Sequence, residues 1–198
     1  MNDKTSTHRK VAGGRILRDV YPEVDSADPV DYVAELGDSV QALMYSWLFW
    51  PDLVEFEGAV FVAIWGNDEQ FISERIRNPS GGWRRSPISW KETVDSFNIF
   101  EVDHMFRQYR GSVEVAAEAN SELGHVLVQA WNARLKMAYT TRSFRVRFVE
   151  ADELMDSRIE VSQDYPSLVT PRGWNAEQRS ILPRVRLSGG DPINDEDR

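Results

Sequence analysis

The spacing of hydrophobic positions changes repeatedly along this chain, and each change predicts an element. Apolar residues recur at Val33, Leu36, Val40, Leu43, Met44, Trp47 and Leu48, the 3.6-residue spacing of a helix with one apolar stripe. Asp28 can cap its start, Pro29 suits its first turn and Asp31 places negative charge where the helix dipole favours it. Pro51 stops it, because the residue before a proline is pushed out of helical geometry. Gly37 weakens its middle by up to ~1 kcal/mol relative to alanine. The period then shortens to two. Val54 and Phe56 alternate with Glu55 and Glu57, and Val60, Val62 and Ile64 alternate with Phe61, Ala63 and Trp65. A turn at Glu57-Gly58 would join the two runs as a hairpin. Its second strand is apolar on both faces, which predicts a central strand covered on both sides.

Further along, residues 67–77 predict a short helix with Phe71, Ile72 and Ile76 turned inward, and 78–87 predict a loop. Ser89 and Glu92 stand at capping-box spacing and open a helix to about Phe97. The run "IFEVDHMFRQY" is ambiguous between helix and irregular chain. A long helix is predicted over 113–139, capped by Ser112, with Ala116, Ala119, Leu123, Leu127, Trp131, Leu135 and Ala138 as its stripe. A second hairpin follows, with Phe144, Val146 and Phe148 inward, Arg145 and Arg147 outward, and Ile159 and Val161 on the return strand.

These elements predict an α+β fold. A helix–hairpin unit occurs at 28–65 and again at 112–163, without sequence identity between the two. Together they would give a four-stranded, mainly antiparallel sheet packed on two long helices, with shorter helices between them. Residues 1–14 are expected to be a flexible tail and 15–25 an extended lead-in or strand. Residues 15–165 form the single domain of this reading, and 166–198 a C-terminal strap or tail.

Composition narrows the function classes. With 198 residues and no cysteine, the chain can bury a core without disulfides and offers no thiolate ligand or nucleophile. The start of the chain has no apolar signal core and no apolar run reaches ~20 residues, so a cytoplasmic protein is expected. The net charge is 23 − 32 = −9, which argues against nucleic acid as a direct ligand. The layout of charge adds more. Twelve acidic residues and no lysine or arginine lie between Asp19 and Glu69, whereas residues 1–18 carry five basic residues and one acid. Such a lobe either steers a cationic partner or is neutralised by arginines from elsewhere in the fold.

Candidate chemistry is sparse. Glu101, Asp103 and His104 are the one dense titratable cluster, suited to acid–base work or metal holding if they converge; adjacent residues on one element point apart, which favours a structural role. His8 falls in the expected tail, and His125, in the long helix, reads as a carboxylate partner or a surface residue. Trp83, Arg84 and Arg85 form a cation-plus-ring patch, a candidate phosphate or base contact, or an ordinary surface loop. The arginines at 172, 179, 184 and 186 could touch nucleic acid or fold back on the acidic half. Trp47 and Trp65 lie on apolar stripes and read as core. Phe49 and Trp50, beside Pro51 and followed by Asp52, Glu55 and Glu57, form a carboxylate-rimmed aromatic corner, the arrangement of a hot spot for a basic protein.

Three classes of function follow. The favoured one is a non-enzymatic acidic interaction protein, comparable in type to bacterial immunity and inhibitor proteins although no family motif is present. It would bind a basic partner through Phe49, Trp50, Asp52, Glu55 and Glu57, without cofactor, metal or membrane; self-association stays open. The alternatives are a metal-dependent hydrolase using Glu101, Asp103 and His104, and a structural subunit of a larger complex.

Overall fold

In the computed structural model, which describes residues 4–64, 69–77, 87–106 and 111–181, helices and strands are mixed in an α+β arrangement. Helices α1 (Lys4–Val20), α2 (Pro29–Leu36) and α3 (Ser39–Phe49) precede a hairpin of β1 (Asp52–Phe56) and β2 (Ala59–Ala63). Helices α4 (Glu69–Arg77) and α5 (Trp90–Phe97), the short β3 (Ile99–Glu101) and the single turn α6 (Val102–Met105) come next. The long α7 (Val113–Ala138), the hairpin β4 (Ser143–Val149) and β5 (Arg158–Tyr165), and the short strands β6 (Trp174–Asn175) and β7 (Ser180–Ile181) complete it.

Strand β2 organises the core. All five of its residues are buried, and its two faces feed two different apolar clusters. Val60 and Val62 join Phe100, Leu127, Trp131, Leu135, Ile159 and Val161 under α7. Ala59 and Phe61 join Phe56, Ile72, Ile76, Trp90 and Val94 under α4 and α5. The alternation in sequence is thus the alternation between two cores, as expected for a strand covered on both sides. At its turn Glu57 and Gly58 have φ of 50° and 77°, the pair of positive values that a two-residue type I′ hairpin requires.

The strands are not one four-stranded sheet. They pair as β1-β2, as β3-β5-β4 and as β6-β7. Asn98 bridges the first two. Its side chain accepts from the Val62 N–H at 3.0 Å and donates to the Val60 carbonyl at 2.9 Å, while its own carbonyl accepts from the Val161 N–H at 3.0 Å. One amide side chain therefore occupies the place where a ladder between β2 and β5 would run.

The α7–hairpin unit matches its pattern closely. Ser112 caps α7 and accepts from the Val115 N–H. Leu127, Trp131 and Leu135 are fully buried along its stripe, although Ala138 at its end is exposed. Gly124 faces Phe148 so closely that a Cβ there would lie 2.5 Å from the ring. The Ser89–Glu92 capping box on α5 is present in both directions.

Several expectations change. Lys4–Val20 is one helix, where the sequence suggests a tail to residue 14 and an extended stretch after it. Ile16 is buried on it, and Arg15 pairs with Glu118 of α7 and with Asp19. Gly14 is buried because residues 27–29 pass close by: a Cβ would stand 3.1 Å from the Ala27 carbonyl oxygen. The single helix expected before Pro51 is two. Gly37 caps the end of α2 and Asp38 caps the start of α3. Phe71 on α4 is exposed, not inward, while Ile72 and Ile76 are buried as expected. After Tyr165 the chain forms the antiparallel pair β6–β7, which seats Ile181 in the second core with Leu168 and Trp174 against it.

Candidate functional site

The corner between α3 and β1 is built on Pro51, which is fully buried. The Pro51 carbonyl accepts from Arg134 Nε at 3.2 Å, and the Leu48 carbonyl accepts from Trp131 Nε1 at 2.7 Å. Both bonds tie the end of α3 to α7. Phe49 is half-buried and packs against the first core. Trp50 is exposed, with the Arg134 guanidinium 5.6 Å from its ring centroid, a cation–π contact. Glu55 is spoken for: it pairs with Arg142 at 2.5 Å. Burial raises the Tyr139 pKa, Glu55 adds to the rise, and Arg142 and Arg134 oppose it. Asp52 and Glu57 remain exposed. Of the five expected residues, Trp50, Asp52 and Glu57 are exposed without an ion-pair partner among the described residues.

A larger surface lies next to it. Val30, Val33, Leu36, Val40, Leu43, Met44, Tyr45, Trp47 and Trp50 are each between 40% and 68% exposed. Helix α3 buries no residue at all. Trp47, expected in the core, is 60% exposed. Single exposed apolar residues are ordinary, but a run of them on consecutive helices is the usual mark of an interaction surface. Most of the stripe read as core-facing thus faces outward, and the end of α3 is held to α7 through the Leu48 and Pro51 carbonyls.

Carboxylates border this surface. Glu23, Asp25, Asp31 and Glu35 line a hollow of about 410 Å³ that also includes Leu36, a member of the apolar run. Among the described residues, no ion pair reaches Glu23, Asp25, Asp31, Glu35, Asp38, Asp52 or Glu57. Asp28 and Asp38 are engaged as caps, accepting from the Val30 and Val40 N–H groups. Among the described residues, arginine pairing within the acidic half reaches Asp19, from Arg15, and Glu55, from Arg142.

The cluster read as Glu101, Asp103 and His104 separates. Glu101 Oε2 meets His104 Nδ1 at 2.7 Å, but Asp103 turns away and accepts from Asn120. Asp156, from the loop between β4 and β5, takes its place beside Glu101 and His104. His125 lies with its ring centroid 4.8 Å from that of Phe148, tilted by 57°, and joins no ligand cluster among the described residues. Trp65, Trp83, Arg84, Arg85, Arg184 and Arg186 lie outside the described residues. Arg172 is exposed and Arg179 half-buried.

Comparison with known proteins returns no matching family model, no matching curated protein and no matching solved structure. None of the helices among the described residues is long and apolar enough to cross a membrane.

Sequence reasoning missed the outward-facing run on α2 and α3. One signal was present: in "SVQALMYSWLF" only Ser39, Gln41 and Ser46 are polar, more apolar residues than one core-facing stripe accommodates. Asp156 had no signal, since only the folding of the second hairpin brings it to Glu101.

Proposed function

We propose that this chain is a non-enzymatic interaction protein that docks a basic partner protein on α2, α3 and the corner at Trp50 and Asp52. The observation that carries this reading is the exposed apolar run from Val30 to Trp50 joined, through Leu36, to an acidic hollow without a cationic partner among the described residues. Apolar rings and branched side chains supply area to bury, and unpaired carboxylates supply attraction and orientation. The hollow is suited to a lysine or arginine side chain from the partner. The acidic lobe would also raise the association rate, an effect that salt suppresses.

The reading resembles an inhibitor or immunity protein in its chemistry, with a cytoplasmic setting and no cofactor. The test separates the apolar and the charged contributions. A partner recovered from native extract by the wild-type chain should be lost on Leu43→Glu with Trp47→Ala. It should be weakened at low salt by Glu23→Lys, Asp25→Lys and Glu35→Lys together, with the salt dependence flattened. Full retention by both variants overturns the reading. A concentration-dependent homodimer abolished by Leu43→Glu would make a second copy of this chain the occupant and overturn the basic-partner assignment.

A further inference from the structure

We infer that Glu101, His104 and Asp156 form a binding site for a first-row divalent cation of the zinc type, which clamps the β4–β5 loop to the turn after β3. Each of the three offers one ligand atom, and these atoms lie within 4.8 Å of one another. They come from the end of β3, from α6 and from the loop before β5, so the grouping is a product of the fold and not of adjacency in sequence. The donor set is one imidazole and two carboxylates, a mixture zinc accepts at about 2.0–2.2 Å per ligand. Two carboxylates balance the charge of a divalent ion.

The scaffold around the site is held independently of any ion. Glu101 is paired with Arg158 in the β3–β5 register, and the Val102 N–H donates to the Ser157 carbonyl at 2.9 Å. That bond fixes the residue next to Asp156 against the residue next to Glu101. Asp152 shapes the loop from its other end, accepting from the Leu154 and Met155 N–H groups. Arg158, the nearest cation in that register, is engaged at 2.9 Å by Asp152 and 3.0 Å by Glu160, which lessens its repulsion of an incoming cation. His104 already turns Nδ1 inward to Glu101 at 2.7 Å. Ligand atoms around a tetrahedral ion stand ~3.4 Å apart, given zinc bond lengths, so that pair opens slightly while Asp156 closes in. Both motions are side-chain rotations: the His104 side chain is 68% exposed and Asp156 is exposed. Glu101, with a side chain only 19% exposed, is the fixed member. Asp103 takes no part, because Asn120 holds it.

Three protein ligands leave a coordination position for water, so the site can be structural or can activate that water. It is separate from the α2–α3 surface and stands whether or not that surface docks a partner. The experiment uses the full chain stripped with chelator, titrated with Zn²⁺ and, as a control, Mg²⁺. The expected result is one Zn²⁺ bound per chain, a rise in melting temperature that chelator reverses, and little response to Mg²⁺, which disfavours nitrogen ligands. His104→Ala and Asp156→Asn should each weaken Zn²⁺ binding at least ~10-fold, the low end of what losing even an outer partner costs at a metal site. Both positions are exposed, so both variants should melt like the wild type without metal. Absence of stoichiometric binding to the wild type overturns the site. Undiminished binding by either variant also overturns it.

Discussion

The Asn98 side chain donates to the Val60 carbonyl at 2.9 Å and accepts from the Val62 N–H at 3.0 Å. The residue is 1% exposed, so neither of those backbone groups has water as a substitute. Asn98→Ala would leave a buried donor and a buried acceptor unpaired, at about 1–3 kcal/mol each. The expected loss of stability is about 2–6 kcal/mol, read from the urea midpoint at constant slope. Asn98→Asp should be at least as damaging, because it also removes the donor to Val60 and buries a charge. A loss under ~1 kcal/mol would show that the two sheets hold together without this bridge.

Trp47 and Trp131 make opposite predictions from the same residue type. Trp131 is fully buried and donates its indole N–H to the Leu48 carbonyl at 2.7 Å. Trp131→Ala should cost about 3–5 kcal/mol. Trp47 is 60% exposed, and Trp47→Ala should change stability by no more than ~0.5 kcal/mol while impairing partner binding. Parallel denaturation of the two variants decides the point. Equal destabilisation would mean that α3 is covered within the chain.

That contrast shows where the sequence was legible. Local chemistry is legible at several points: Ser89 and Glu92 form their capping box, Glu57-Gly58 forms its tight turn, and the two faces of β2 go to two cores. Where the outcome depends on what lies across from an element, it is not. The α2–α3 stripe has helical spacing whichever way it faces, and only its tertiary placement decides that most of it is exposed. Gly37 and Asp38 carried a readable stop and start, which the continuous apolar spacing across them masked. The contact between the two sheets runs through one buried amide, Asn98, which no periodicity displays. At the Glu101 cluster, adjacency in sequence suggested Asp103, whereas folding supplied Asp156.

Acid should act on the fold through the Arg158 cluster. Asp152 has its pKa lowered, first by the Leu154 N–H and then by Arg158. For Glu160, burial pushes the pKa up, but hydrogen bonds from Arg147 and Arg158 together outweigh it, so the net shift is downward. A carboxylate whose folded pKa is depressed contributes stability that is complete above its unfolded value and lost as pH falls through the folded one. Unfolding midpoints should therefore hold steady from neutral pH to about 4.5 and then decline as the pH drops below the ordinary carboxylate range. Glu160→Gln should be less stable than wild type at pH 6, with the gap narrowing in acid. A gap that is constant with pH would assign the loss to packing instead of charge.

Glu57 sits at φ 50° in the hairpin turn, next to Gly58 at 77°. A non-glycine residue pays for left-handed backbone, on the order of 1 kcal/mol, and asparagine pays less because its short amide bonds locally. Glu57→Asn installs the Asn-Gly pair that type I′ turns favour. The Glu57 side chain is exposed and has no ion-pair partner among the described residues, so nothing in the fold offsets the gain. The variant should be more stable by up to ~1 kcal/mol, seen as a higher melting temperature. Gly58→Ala should do the reverse although open space surrounds the position, since its penalty lies in the backbone and not in a clash. If Gly58→Ala were neutral, the turn would have to relax to another type, and the register of Glu55 opposite Val60 would shift with it.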